Sequence, residues 1–230
     1  MRIVKGLAVF LGMFMFVFIV DGPAGAQNEI KLPKPKITGK VSLEAAILKK
    51  KSVRGFSNTP LNLEEVSQLL WAANGNLPAD AISGATSKVI PSAGGLYPLE
   101  VFLVSGNETV TGLPAGVFHY KPDSNSLISI NPGDNRSVLA RSALGQMWMV
   151  SAPAVIVIGA NFNRTTVKYG NRGLQYVFME SGASTQNIYL QAEAMGLKVG
   201  SVGAFQDSYV TGALKLPNDI NPLMLIPVGK

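Results

Sequence analysis

The chain has 230 residues, no cysteine, one histidine and a formal net charge of +6. The missing thiols exclude a disulfide scaffold, a zinc ribbon, an iron–sulfur cluster and a cysteine nucleophile, and one histidine leaves a multi-histidine metal site without ligands. Hydrophobic residues at 47% beside charged residues at 15% describe a packed domain and not a disordered chain.

Arg2 and Lys5 precede an uncharged run from Leu7 to Val20, which leads to the small residues Ala24, Gly25 and Ala26. A basic start, a short apolar core and an A-x-A-like end have the form of a secretory signal peptide. The run is shorter than the ~18 residues of a membrane span, so residues 1–26 are expected to be removed after Ala26. The mature protein is then periplasmic or secreted and meets the membrane only in transit. The remaining basic excess suits an anionic ligand. Nucleic acid is not expected as a partner, because the longest basic run is Lys49-Lys50-Lys51 and no basic stripe carries interleaved aromatics.

Residues 27–41 hold two prolines and four lysines and read as an extended arm or an unstructured leader. Residues 42–230 form the domain proper. Ser42 to Lys51 reads as a short helix ending in a basic turn. Asn62 to Asn74 is the clearest helix: Asn62 is a cap, Glu65 completes a capping box, and Leu63, Val66, Leu69, Leu70 and Ala73 share one face. Strands are expected at Leu99–Ser105, Gly116–Lys121 and Leu127–Ile130, then a helix at Arg136–Met149. Ala154–Gly159 is apolar and β-branched, as a buried strand should be. A long helix, Gln175–Met195, has small residues at its centre, and Lys198–Ala204 and Leu223–Val228 are the last strands. Helices and strands mix without strict alternation, which indicates an α+β fold.

Four stretches could carry chemistry. In Lys50-Lys51-Ser52-Val53-Arg54, three cations and a hydroxyl suit a phosphate, though spacing alone favours a solvated basic turn closing a helix. Ser92-Ala93-Gly94-Gly95-Leu96 is a tight loop whose glycines let a ligand approach the backbone, or an ordinary turn before a strand. Lys168 and Tyr169 together can accept and donate a proton if their surroundings allow, or form an exposed cationic loop. Gly200 and Gly203 interrupt a strand, a sign of close backbone approach. Glu180, Ser184, Asn187 and Gln191 add a polar stripe to the long helix, which is either a solvent-facing edge or a row needing partners. His119 stands alone and reads as structural.

Singly these signals are weak, but their order is specific. K-K-S-x-R-x-F, P-S-x-G-x-L-Y-P, K-Y-G-x-R, E-x-G-x-x-x-Q-N-x-x-L, G-x-x-G-A-F and a terminal P-V-G-K follow one another from Leu43 to Lys230. This series resembles the FMN-dependent nitroreductase superfamily. More narrowly, it resembles the SagB-type dehydrogenases, the azoline oxidases of thiazole/oxazole peptide biosynthesis. The resemblance implies a nitroreductase-like α+β sandwich built on a long central dimer helix, a homodimer, and FMN bound at its interface. It implies that Lys50, Ser52 and Arg54 hold the phosphate and ribityl chain with Lys230. Ser92, Ala93, Gly94, Leu96, Gly200 and Gly203 would line the cofactor. Lys168 and Tyr169 would be the catalytic pair, Lys168 taking a proton in step with hydride transfer to FMN and Tyr169 positioning or donating. The implied substrate is a small molecule or a peptide-derived group. Two departures stand out: Lys50-Lys51 replaces the usual Arg-Arg, and Ala183 stands where histidine is common. They leave a second expectation open, a non-catalytic flavin-binding or cofactor-free module that keeps the fold.

Overall fold

The structure is a computed structural model and describes residues 29–79 and 87–230. The expected signal peptide lies outside the described residues. Thirteen elements follow in chain order: β1 (Glu29–Lys31), α1 (Leu43–Lys49), α2 (Leu63–Asn74), β2 (Leu99–Ser105), β3 (Gly116–Lys121), β4 (Ser126–Pro132), α3 (Arg136–Ser142), β5 (Ala154–Ala160), α4 (Asn163–Tyr169), α5 (Arg172–Ala194), β6 (Lys198–Val199), α6 (Asp207–Leu214) and β7 (Asn221–Gly229). The strands form one sheet in the order β1-β4-β3-β2-β5-β7-β6, with every neighbour antiparallel. This is the expected α+β class.

The sheet is buried on both faces, and the period-two rule divides its side chains. Along β5, Ala154, Ile156, Ile158 and Ala160 join a core with Leu69 and Leu70 of α2 and Val177 and Ile188 of α5. Val155 and Val157 point the other way, to Leu139 of α3 and Val210 and Leu214 of α6. The result is three layers, with α2 and α5 on one face and α3 and α6 on the other. Among the described residues, no helix is long and apolar enough to cross a membrane.

Several elements depart from expectation. The helix expected over Arg136–Met149 stops at Ser142, because Leu144 and Gly145 take left-handed backbone conformations (φ 55° and 73°). A short 3-10 turn, Met147–Ser151, follows. The last-but-one strand keeps only Lys198 and Val199, and Val202 touches the sheet again through a single bridge to Leu225. Helices α4 and α6 were not anticipated. The arm is strapped down and not loose: β1 pairs with β4. Asn125 Nδ2 donates to Pro33 O at 2.8 Å, and the Gln68 side chain bonds both Lys36 N (2.8 Å) and Lys36 O (3.0 Å).

Candidate active site

The residues singled out above fall into two groups, each fastened to α5. The first is built where the chain leaves α1. Val53 N donates to Val199 O at 2.8 Å, which lays the Lys50–Arg54 turn along β6. Ser52 Oγ and Tyr189 Oη of α5 are 2.9 Å apart, and Tyr189 Oη donates to Ser201 Oγ at 3.1 Å. Tyr189 has one proton, so Ser52 is the donor in the first of these bonds. Lys50 Nζ lies 5.5 Å from the Tyr189 ring centroid, and the Arg54 guanidinium lies 5.9 Å from that of Trp148. Among the described residues, no carboxylate pairs with Lys50, Lys51 or Arg54. Gly200 belongs here for a steric reason: a Cβ on it would lie 2.5 Å from Val53 O. Gly203 is open, with only Met224 Cε near the position a Cβ would take, at 4.0 Å.

The second group centres on the turn before β2. Gly94, Gly95 and Tyr97 all have positive φ (63°, 67° and 46°). Ser92 Oγ accepts from Tyr97 N at 2.9 Å and donates to Glu180 Oε1 at 3.0 Å. Ala93 N donates to the same oxygen, also at 3.0 Å. Lys168 and Tyr169 end α4, and Gly170 (φ 55°) turns the chain into α5. Gly173 lets the two helices touch, since a Cβ there would lie 3.0 Å from Thr166 Cα. That corner carries Lys168 and Tyr169 to the turn. A Cβ on Gly94 would meet Tyr169 Oη at 2.7 Å and Lys168 Nζ at 2.9 Å. The Tyr169 ring stands edge-on to Tyr176 at 5.2 Å. A cleft of about 310 Å³ opens alongside, walled by Pro91, Ser92, Ala93, Tyr176, Met179 and Glu180.

Glu180 heads one of the motifs and the polar stripe but receives no site role from the sequence alone. Its signal was the polar stripe, whose other members are spent on the protein. Ser184 Oγ donates to Ala73 O, Asn187 Nδ2 to Val89 O, and Gln191 Oε1 accepts from Gln68. Glu180 alone faces the turn. It is buried, Oε2 has no partner, and burial pushes its pKa up against the pull of the Ala93 and Ser92 bonds. Lys230 O accepts from Ser57 N at 2.7 Å just past the first group, and its amine lies 3.0 Å from Pro60 O and 3.1 Å from Glu65 Oε1. His119 bonds Glu100 at 2.7 Å.

The family model for the nitroreductase family matches residues 47–230, most of the chain. The chain belongs to the nitroreductase family. Nitroreductase-family proteins are oxidoreductases that generally work with a bound flavin. A candidate nitroreductase of Methanocaldococcus jannaschii is 40% identical over 206 residues, covering 90% of this chain and 98% of that protein. The microcin B17-processing protein McbC of Escherichia coli is 32% identical over 136 residues, and the match spans 58% of this chain and 50% of McbC. A candidate nitroreductase structure from Ralstonia eutropha superposes with a TM-score of 0.74 at 27% identity, over 90% of this chain and 91% of that one. The E. coli microcin synthetase McbBCD complex matches in fold with a TM-score of 0.66, 24% identity and coverage of 96% and 84%.

The residues present suit a flavin of this family. Lys50, Ser52 and Arg54 offer cations and a hydroxyl without a competing carboxylate, as a phosphate requires. Gly94 brings the backbone against the Lys168 and Tyr169 side-chain ends, Gly200 is packed by Val53 O and Trp148, and Gly203 leaves backbone accessible.

Proposed function

We propose that the chain is an exported FMN-dependent oxidoreductase of the SagB type that dehydrogenates a small-molecule or peptide-derived substrate as a homodimer. The observation that carries this reading is the convergence of Lys168 Nζ and Tyr169 Oη on Gly94 in a nitroreductase-family chain. The match to McbC, a microcin B17-processing protein, supports the SagB-type assignment. The basic start, the apolar run Leu7–Val20 and the small residues up to Ala26 support export.

Lys50, Ser52 and Arg54 would hold the FMN phosphate and ribityl chain. The Ser92–Leu96 turn, Gly200 and Gly203 would line the ring system. When bound, FMN supplies the two-electron redox centre, and the protein supplies placement and proton handling. Lys168 Nζ takes the proton that a dehydrogenated substrate gives up. Tyr169 Oη, held edge-on by Tyr176, orients the substrate or returns a proton.

Two features support a dimer. Glu180 and Tyr189 are nine residues apart on α5, about half a turn around the helix and about 13 Å along it. One chain therefore turns its two groups to opposite sides, and a second copy can bring complementary groups together. Large apolar side chains also lie exposed on α1, α4 and α5, among them Leu48, Val167, Phe178 and Met179.

The test is the visible spectrum of the purified mature protein. Flavin bands, as isolated or after addition of FMN, are expected, and their absence would overturn the proposal. Lys168→Ala is expected to bind FMN normally and to lose turnover by ~100-fold or more. Loss of flavin by that variant would remove the catalytic role from Lys168. Flavin that binds but is neither reduced nor reoxidised would favour a non-catalytic module.

A further inference from the structure

We propose that Glu180 is a positioning residue, fixing the Ser92–Leu96 turn beneath the Lys168–Tyr169 pair as a neutral carboxylic acid. The proposal deepens the FMN reading above and rests on it for its functional meaning, though not for its geometry.

The turn is a costly piece of backbone. Gly94 and Gly95 within it and Tyr97 directly after it are left-handed, and Tyr97 lacks the freedom of glycine. Within the turn, Gly95 N bonds Ser92 O at 3.1 Å and Leu96 N bonds Ala93 O at 3.3 Å, the second a long contact. The stronger fastening comes from outside. Glu180 Oε1 receives Ala93 N and Ser92 Oγ, and Ser92 in turn receives Tyr97 N. One oxygen on a 23-residue helix thus holds the start of the turn directly and its end through Ser92. Gly94, which meets Lys168 and Tyr169, is the residue directly after Ala93.

The proton follows from what surrounds the carboxyl. Glu180 is 4% exposed. Its partners are one hydroxyl and one amide, both neutral donors, and among the described residues it has no cationic partner. Tyr176 and Met179 of α5 and Pro91 of the turn share its cleft. The titratable groups around the turn are Lys168 and Tyr169 from α4, which meet it at Gly94, Arg164 of α4, which donates to Tyr97 O at 3.1 Å, and Lys88, whose amine lies 5.5 Å from the Tyr97 ring centroid; none of them bonds Glu180. A buried carboxylate with no cation is expensive, and a proton on Oε2 removes that expense. Oε1 remains a carbonyl able to accept both bonds. Burial shifts the titration in the same direction.

Glu180→Gln keeps a carbonyl acceptor on a neutral, isosteric group, whereas Glu180→Ala removes it. FMN affinity, read by quenching of flavin fluorescence, is expected to stay within ~3-fold of wild type in Glu180→Gln and to weaken ~10-fold or more in Glu180→Ala. Without flavin, amide exchange of residues 93–97 is expected to accelerate ~10-fold in Glu180→Ala and to match wild type in Glu180→Gln. If Glu180→Ala does not fold, Ser92→Ala serves in its place, with faster exchange expected at Tyr97. Equal damage in Glu180→Gln and Glu180→Ala would overturn the neutral acid. Wild-type exchange in Glu180→Ala, or in Ser92→Ala where that is used, would overturn the positioning role. Failure of wild type to bind FMN would defeat the proposed function, while the exchange comparison would still decide this inference.

Discussion

Glu100 bonds two side chains, His119 and Arg164. Its Oε2 lies 2.7 Å from His119 Nε2, and Arg164 Nη2 donates to its Oε1 at 2.5 Å. Lys121 Nζ lies 2.9 Å from His119 Nδ1. An ammonium can only donate, so Nδ1 is the acceptor and Nε2 carries the proton given to Glu100. Burial works to raise the Glu100 pKa, but the bonds from His119 and Arg164 outweigh it and hold the carboxyl at about 2. A depressed carboxyl stabilises the fold above its unfolded pKa of ~4.3, and that contribution fades as pH falls toward the folded value. Urea titrations should therefore show wild type losing stability between pH ~4.5 and ~2. Glu100→Gln should start less stable at neutral pH and fall less steeply, and an unchanged slope would refute the assignment. Arg164 also donates to Tyr97 O at 3.1 Å, so this network steadies the far end of the Ser92–Tyr97 turn. The Lys168–Tyr169 pair was legible as a chemical possibility because the two are adjacent. Glu180 was not assigned to it, because its partner Ser92 is 88 residues away and nothing local encodes that contact.

Among the elements, α2 was the most legible, because its start is written locally. Asn62 Oδ1 accepts from Glu65 N at 2.8 Å, and Glu65 Oε2 accepts from Asn62 N at 2.9 Å, the reciprocal box read from the sequence. Glu65 Oε1 also pairs with Lys230, which ties the end of the chain to the same cap. Asn62→Ala should cost about 1 kcal/mol. In calorimetry this is a fall in Tm of ~2–4 °C for a domain of this size, with FMN affinity unchanged. Elements set by distant contacts were harder to read. The strand begun at Lys198 is regular for only two residues, after which contact with β7 continues through single bonds from Gly200 N to Pro227 O and from Val202 N to Leu225 O, while Gly200 leaves room for Val53 and Trp148 from elsewhere in the chain. Helix α4 carries two adjacent threonines, poor helix formers, and is held where it packs on α5 at Gly173. The expected helix through Met149 ignored Gly145, a positive-φ residue that should have marked its end.

At the scale of the molecule, the α+β class was readable from the mixture of patterns, whereas the strand order was not. Each antiparallel neighbour is chosen by which faces bury together, and that is a property of the assembled sheet. The proposed pairing of two copies makes a further demand. Phe178 on α5 is 56% exposed and Met179 60%, an apolar surface that a solitary chain would leave in water. Phe178→Asp is expected to sediment as a monomer and to lose FMN, whereas wild type sediments as a dimer. A dimeric Phe178→Asp would locate the interface elsewhere.

The strapped arm bears on the order in which the protein can be built. Glu29 pairs with Ile128, so the first strand must wait for a partner about a hundred residues behind it. At ~5–20 residues per second of synthesis, that wait is ~5–20 s. During it, residues 29–31 have no strand to pair with, and the sheet can acquire this edge only after β4 exists. The first described residues of the chain thus wait for β4, while β5, β6 and β7, which complete the other side of the sheet, are still to come.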